Sequence, residues 1–234
     1  MFSIDRWMED YRKAAEKCFG DRIWFLGLQG SYGRGEASRG SDIDAVLILD
    51  RLCPADLLKY SSMLDTLPER GRACGFISGK EELLAWEPSE LFQFYYDTEP
   101  VIGSLDPLLA HIGEADIRRA VRTGACSIYH MCAHNLVHEK SGEILKSLYK
   151  SAVFALQAAV FLKTGVYEKK REGLRIRSDP EDRCILETGQ RLKQEGEISA
   201  EELEELSALL LDWASGWIRR SSDNSDIVYG SYER

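Results

Sequence analysis

Residues 30–44 read GSYGRGEASRGSDID, and this polar stretch lies between two apolar runs. The first run covers residues 23–28 (IWFLGL) and the second covers residues 45–49 (AVLIL). Both are short, rich in branched and aromatic residues, and bounded by Gly or Asp, which predicts buried β-strands. The sequence therefore predicts two core strands joined by a long polar loop.

The loop has the composition of a phosphate-binding segment, with four glycines, three serines and two arginines. Glycine lets the backbone turn sharply and lets its N–H groups approach an anion closely. We therefore expect the turn at Gly30 and Ser31 to hold phosphate, and Ser41 is a further phosphate-binding candidate. Arg34 and Arg39 either contact phosphate or project into solvent, and the sequence leaves both interpretations open.

Two carboxylates open the second predicted strand. Because side chains alternate across a strand, Asp42 and Asp44 are expected on one face and Ile43 on the other. Carboxylates one strand step apart, beside a phosphate-binding loop, suit a hard divalent cation such as Mg2+, with one or two ions bound. We predict that Asp42 and Asp44 hold metal that bridges the phosphates of a nucleoside triphosphate and offsets the charge on the leaving pyrophosphate.

This pattern resembles the signature of the DNA polymerase β-like nucleotidyltransferase superfamily: an apolar residue, Gly-Ser, about ten residues, then acid–apolar–acid. Within that superfamily, GSYGRGEASRGSDIDAVLIL is similar to small bacterial members such as the minimal and antibiotic nucleotidyltransferases. The matching core covers about residues 20–50. The resemblance implies transfer of a nucleoside monophosphate to a hydroxyl group, with Asp42 and Asp44 as catalytic residues. A polar hairpin loop that carries Gly and Asp by chance is the disfavoured alternative.

Relatives commonly carry a third carboxylate on the next strand, where it serves as metal ligand and base. Here that strand is predicted at residues 72–78 (RACGFIS), and neither of its faces offers an acid. A base would have to come from elsewhere, with Glu90, Asp97 and Asp106 as candidates. An enzyme and a catalytically impaired nucleotide-binding regulator or antitoxin-like protein therefore both stay open. A helical interaction module on an inert nucleotidyltransferase scaffold is a third interpretation.

Composition limits the partners. A chain of 234 residues with 44% hydrophobic residues can bury a core in one large or two modest domains. The net charge of −9 argues against broad contact with nucleic acid, and favours ATP or another nucleoside triphosphate with a small-molecule or protein acceptor. The six cysteines include no CxxC pair, which predicts reduced thiols in a cytoplasmic protein. The sequence shows no apolar leader and no long apolar run, so we expect no membrane span. We expect a monomer or a homodimer.

Hydrophobic periodicity predicts an α+β protein in which helices flank a small mixed β-sheet and an all-α helical bundle follows. The predicted parts are a nucleotidyltransferase domain at 1–107, an acceptor-binding bundle at 108–220 and a polar tail at 221–234, with NTP–Mg2+ meeting the acceptor in a cleft between the domains. The predicted helices lie at 3–19, 54–67, 114–140, 142–164, 180–195 and 199–219. Residues 101–103 are expected to form an edge strand of the sheet. The aromatic run 92–96 is predicted to be helix or strand, and its side chains are expected in the core rather than stacked on a substrate.

Three features of the predicted bundle have more than one interpretation. His130, His134 and His138 repeat every four residues on one helix and could bind zinc, although no acid or cysteine stands at a persuasive position; a polar stripe and partly buried histidines are the alternatives. Lys150 either reaches toward nucleotide phosphates or packs its stem and leaves its ammonium in solvent. A basic group is expected on a solvated loop face, with the border of an anionic cleft as the alternative; it consists of Lys169, Lys170, Arg171, Arg175 and Arg177.

Overall fold

The computed structural model describes residues 2–194 and 196–223, and the chain divides into two compact units, Met1–Gly113 and Glu114–Arg234. The turn at Asp106 and Pro107, where the sequence predicts a domain boundary, begins a 3-10 helix (Asp106–His111). Its residue Leu108 is fully buried in a core cluster of the first unit. This helix is therefore part of the first unit.

A four-stranded mixed sheet organises the first unit, with the strand order β3-β2-β1-β4. Strand β1 pairs antiparallel with β2 and with β4, whereas β2 and β3 are parallel. The strands are β1 (Ile23–Gln29), β2 (Ile43–Leu49), β3 (Ala73–Gly79) and β4 (Glu99–Ile102). The small mixed sheet predicted from the apolar runs is confirmed, and β4 forms its edge as expected.

Helices cover both faces of this sheet because the strand residues alternate between two apolar clusters. Ala45 and Leu47 pack with residues of the first and third helices, while Val46 and Ile48 pack with residues of the fourth and fifth. The helices are α1 (Ile4–Phe19), the single turn α2 (Gly30–Gly33), α3 (Pro54–Leu64), α4 (Lys80–Leu84) and α5 (Pro88–Asp97). The aromatic run 92–96 is thus part of helix α5. Helix α3 ends at Leu64, three residues before the predicted end at residue 67.

The second unit is helical throughout its regular elements, as the sequence predicts. Its elements are α6 (Glu114–His134), a π-helical turn (Asn135–Glu139), α7 (Gly142–Thr164), α8 (Arg171–Arg177), α9 (Pro180–Gln194) and α10 (Ala200–Asp223). The prediction of a loop is wrong for residues 171–177, which form α8, and the fully buried Leu174 packs this helix in the bundle core. Helix α10 continues to Asp223, and positions 224–234 of the predicted tail lie outside the described residues.

Among the described helices, α7 is long and apolar enough to cross a membrane. However, 56% of its most apolar window is buried inside the protein, and Ala152, Leu156 and Val160 lie in the core of the helical unit. The central helix of a water-soluble bundle has the same length and composition. The apolar character of α7 is therefore explained by packing.

Candidate active site

The glycine-serine turn lies directly against one of the two predicted metal ligands. Gly30 follows β1 with φ of +67°, a left-handed conformation that favours glycine. A Cβ atom at this position would overlap Asp44 Oδ2 and lie 2.8 Å from Asp44 Cγ. The contact arises because the antiparallel register places Gln29 of β1 opposite Asp44 of β2. The glycine-serine turn and the Asp44 carboxylate are thus next to each other in the structure.

The two aspartates flank a residue that anchors the strand. Ile43 is fully buried in the cluster that contains residues of α1 and α3. Asp42, directly before β2, is exposed, and Asp44 is half-buried. Alternation along the strand puts the two carboxylates on the face opposite Ile43. Burial of Ile43 thereby sets the direction of both carboxylates.

A buried ion pair holds the start of the loop. Arg34 Nη1 donates to Asp97 Oδ2 at 2.7 Å, and the two side chains are only 9% and 8% exposed. The Gly30 N–H donates to the same oxygen at 3.4 Å, and Arg34 Nε lies 3.7 Å from Glu36 Oε2. Arg34, a phosphate-binding candidate in the sequence, and Asp97, a candidate base, are therefore bound to each other at the end of α5.

A second arginine holds the far end of the loop. Arg72, directly before β3, donates from Nε and Nη2 to the Ser41 carbonyl oxygen at 3.1 and 2.9 Å. Its Nη2 also donates to the Tyr32 hydroxyl. The Ser41 hydroxyl in turn accepts the Ser38 N–H at 2.8 Å. Ser41, another phosphate-binding candidate, is thus held by Arg72 and Ser38 directly before the first aspartate. Sequence reasoning missed the role of Arg72.

The remaining two phosphate-binding candidates are both exposed. Arg39 lies in the loop between α2 and β2, and Lys150 lies on α7 in the second unit. The first unit therefore brings Gly30 close to Asp44, whereas Lys150 belongs to the second unit.

Strand β3 offers a thiol where the sequence analysis looked for a carboxylate. The parallel register pairs Asp44 with Cys74, which is exposed and forms no disulfide. Next to it, Gly75 has φ of +132°, and a Cβ there would overlap the Ala45 carbonyl oxygen. A larger residue at position 75 would therefore displace β3 from β2.

The other two candidate bases lie on the surface of the first unit. Glu90 Oε2 accepts the Trp86 indole N–H at 2.6 Å, and Asp106 Oδ1 accepts the Tyr95 hydroxyl proton at 3.0 Å. Within residues 2–194 and 196–223, no group of three or more His, Cys, Asp or Glu side chains is placed to hold a metal ion.

An aromatic cluster extends the sheet face beside Cys74. Phe76 lies two residues further along β3, and its ring meets the rings of Trp86 and Phe94 edge-on at 5.5 and 5.0 Å between centroids. Phe94 belongs to the aromatic run that the sequence favours as core, and it is half-buried. The contact with β3 could not be read from the sequence, because it depends on how α5 packs on the sheet.

Comparison with known proteins identifies the class. Residues 12–96 match the family model of the nucleotidyltransferase domain. The first unit therefore contains a nucleotidyltransferase domain, which confirms the resemblance drawn from the sequence. The match lies entirely within the first unit.

A solved structure with a similar fold is spectinomycin adenyltransferase AAD(9) from Enterococcus faecialis, determined with ATP and spectinomycin. The TM-score is 0.58 at 13% sequence identity, and the match covers 93% of this chain and 100% of that chain. At this identity the likeness establishes the α+β fold with its helical part. A search of curated proteins finds no significant match.

Proposed function

We propose that the protein transfers a nucleoside monophosphate from an NTP–Mg2+ complex to a hydroxyl of a small-molecule acceptor and releases pyrophosphate. The observation that carries this proposal is the contact between the Gly30 backbone and the Asp44 carboxylate. It joins a phosphate-binding turn and a metal-binding carboxylate in one site, which is what phosphoryl-type transfer requires.

The donor set at this site fits Mg2+. Asp42 and Asp44 supply carboxylate oxygens, the ligands that this hard cation prefers, and nucleotide phosphates and water commonly complete its coordination. Bound there, Mg2+ would neutralise phosphate charge and stabilise the pyrophosphate leaving group. We assign both aspartates as its ligands.

The residues of the turn and loop would bind and orient the triphosphate. The Gly30 N–H is directed to Asp97, whereas the Ser31 hydroxyl makes no hydrogen bond to another described residue. We therefore assign phosphate contact to Ser31. The ion pair of Arg34 with Asp97 holds the turn in place, because a charge pair with little exposure has few alternative partners.

The group that deprotonates the acceptor hydroxyl stays open between Glu90 and Asp106. Asp97 is the weakest of the three candidate bases because it is buried and ion-paired with Arg34. Its Oδ2 oxygen already accepts the Arg34 guanidinium and the Gly30 N–H, so this oxygen is engaged within the loop. Neither of the remaining acids belongs to β3.

A second candidate function is a nucleotide-binding regulator with impaired catalysis. The observation that favours it is Cys74, which stands beside Asp44 where a third carboxylate would support acceptor activation. Both functions include Mg2+-dependent nucleotide binding, but only the enzyme releases pyrophosphate. The two functions therefore differ in one measurable product.

The test is to incubate the full chain with Mg2+ and α-labelled ATP, then with the other labelled NTPs. Hydroxyl acceptors would include spectinomycin, aminoglycosides and carrier proteins, because the structural neighbour holds ATP and spectinomycin. We expect label transfer and pyrophosphate release, abolished by Asp42→Asn or Asp44→Asn. The exposed Asp21 supplies the matched control, Asp21→Asn, which should retain activity.

Other outcomes separate the alternatives. Tight Mg2+-dependent binding without turnover would favour the regulator, and binding of no NTP would contradict both functions. The variant Cys74→Asp adds a carboxylate at the position paired with Asp44. Pyrophosphate release in this variant alone would identify the missing acid as the reason for an inactive wild type.

A further inference from the structure

Three of the four histidines in the chain form a row that the proposed transfer reaction does not use. His130 and His134 lie on α6, and His138 lies in the π-helical turn that follows. All three are exposed on the second unit. We call these residues the histidine row.

The rings of the histidine row approach one another along one face. Residues four apart lie on the same side of a helix. The ring centroids of His130 and His134 are 6.4 Å apart, and those of His134 and His138 are 4.7 Å apart. The closer pair spans the junction between α6 and the π-helical turn, a feature that is frequent at functional sites.

The imidazole nitrogens of the row are available to a ligand. None of the three rings makes a hydrogen bond or an ion pair with another residue in the described part of the chain. A neutral imidazole carries one lone-pair nitrogen that can ligate a metal. Each ring of the row can therefore offer a nitrogen without breaking an existing contact.

The backbone that carries the closer pair is held firmly. Asn135 is fully buried, and it exchanges two hydrogen bonds of 3.0 Å with the backbone of Ser141. The Lys140 N–H also donates to the Asn135 carbonyl oxygen at 2.7 Å. These contacts hold the end of the helix, so less ordering is required when a ligand joins His134 and His138.

We propose that His134 and His138 bind a divalent transition cation of the Ni2+, Cu2+ or Zn2+ class, each through one imidazole nitrogen. Imidazole suits these cations, whereas Mg2+ prefers oxygen ligands, so this site differs in chemistry from the pair of aspartates on β2. A Zn2+–nitrogen bond is about 2.0 to 2.1 Å long. Because the ring centroids of His134 and His138 are 4.7 Å apart, rotation of the two side chains can bring one nitrogen of each ring to the same ion. Solvent fills the other positions.

The test uses the full chain freed of metal, with Ni2+ as the probe because exposed cysteine thiols compete for Zn2+. Calorimetry of the wild type would be compared with His134→Gln, His138→Gln and the double variant. His111→Gln, which alters the remaining histidine, an exposed residue of the first unit, is the matched control. Circular dichroism would verify that each variant is folded.

We expect each single substitution in the pair to weaken Ni2+ binding by about tenfold or more, and the double variant to abolish it. His111→Gln should bind as the wild type does, and Ni2+ should broaden the imidazole NMR signals of His134 and His138 before those of His111. Unchanged Ni2+ affinity in the double variant, or broadening of the His111 signals before those of His134 and His138, would overturn the proposal.

Discussion

The two units use buried polar groups in different ways. In the first unit, the Arg34–Asp97 pair holds irregular backbone beside the candidate active site. In the second unit, Asp182 accepts the indole N–H groups of Trp213 and Trp217 at 2.8 and 3.0 Å and thereby joins α9 to α10. Substitutions in the first network should impair nucleotide binding as well as stability, whereas substitutions in the second should affect stability alone.

The largest effect is expected at the two aspartates of β2. Asp42→Asn and Asp44→Asn remove negative oxygen ligands, so the transfer rate should fall by about 10³-fold or more. The free energy of unfolding should change little, because Asp42 is exposed and Asp44 is half-buried. Label transfer and chemical denaturation would be measured on the same samples. Either variant with wild-type transfer activity would contradict the assignment.

The second largest effect concerns the buried ion pair of the first unit. Asp97→Ala leaves the Arg34 charge buried without this partner, which typically costs about 3 to 5 kcal/mol of folding stability. Loss of the acceptor for the Gly30 N–H should also weaken NTP binding. Urea denaturation and nucleotide titration would measure the two effects.

The matched control is the double variant Arg34→Ala/Asp97→Ala. Its loss of stability should be smaller than the sum of the two single losses, because both buried charges of the pair are removed together. Additive losses would show that the pair contributes little, and unchanged NTP affinity in Asp97→Ala would remove the proposed link to the phosphate-binding turn.

In the second unit we expect a smaller effect, confined to stability. Asp182→Ala leaves two buried or half-buried indole N–H groups without their acceptor, at a cost of about 2 to 3 kcal/mol. Label transfer below the unfolding transition should match that of the wild type. Asp212→Ala, at an exposed position of α10, is the control and should change stability by less than about 0.5 kcal/mol. Loss of label transfer in a folded Asp182→Ala protein would contradict the expectation that this network affects stability alone.

The smallest effect is a pH dependence that involves neither site. The Arg22 guanidinium, at 2.8 Å, holds the pKa of Asp56 well below its usual range, with help from the Cys53 thiol and N–H. A depressed folded pKa stabilises the fold above the unfolded value, so the contribution should decline as the pH falls below about 4.

Thermal unfolding at neutral and acid pH would test this dependence. Asp56→Asn removes the carboxylate, so the melting temperature of the variant should lie below that of the wild type at neutral pH, and the difference should narrow as the pH falls. A difference that stays constant down to pH 3 would contradict the role of Asp56.

Much of the architecture could be predicted because it depends on local patterns. The apolar runs at 23–28 and 45–49 identify β1 and β2, and the periodicity of residues 142–164 identifies α7. Helix α8 was missed because its basic residues dominate the pattern and a single side chain, Leu174, supplies its buried contact. The other apolar residue of α8, Ile176, is exposed and lies two positions from Leu174, a spacing that does not indicate a helix face.

The motif that defines the class is readable along the chain for a physical reason. A left-handed turn needs glycine at position 30, and strand alternation sets the directions of Asp42 and Asp44, so both constraints act on neighbouring residues. The partners of Arg34 and Asp44 depend instead on how distant segments pack. Arg34 meets Asp97 of α5, and Asp44 meets Cys74 through the register of β2 with β3. These contacts join residues far apart in the chain, and periodicity carries no information about such pairs.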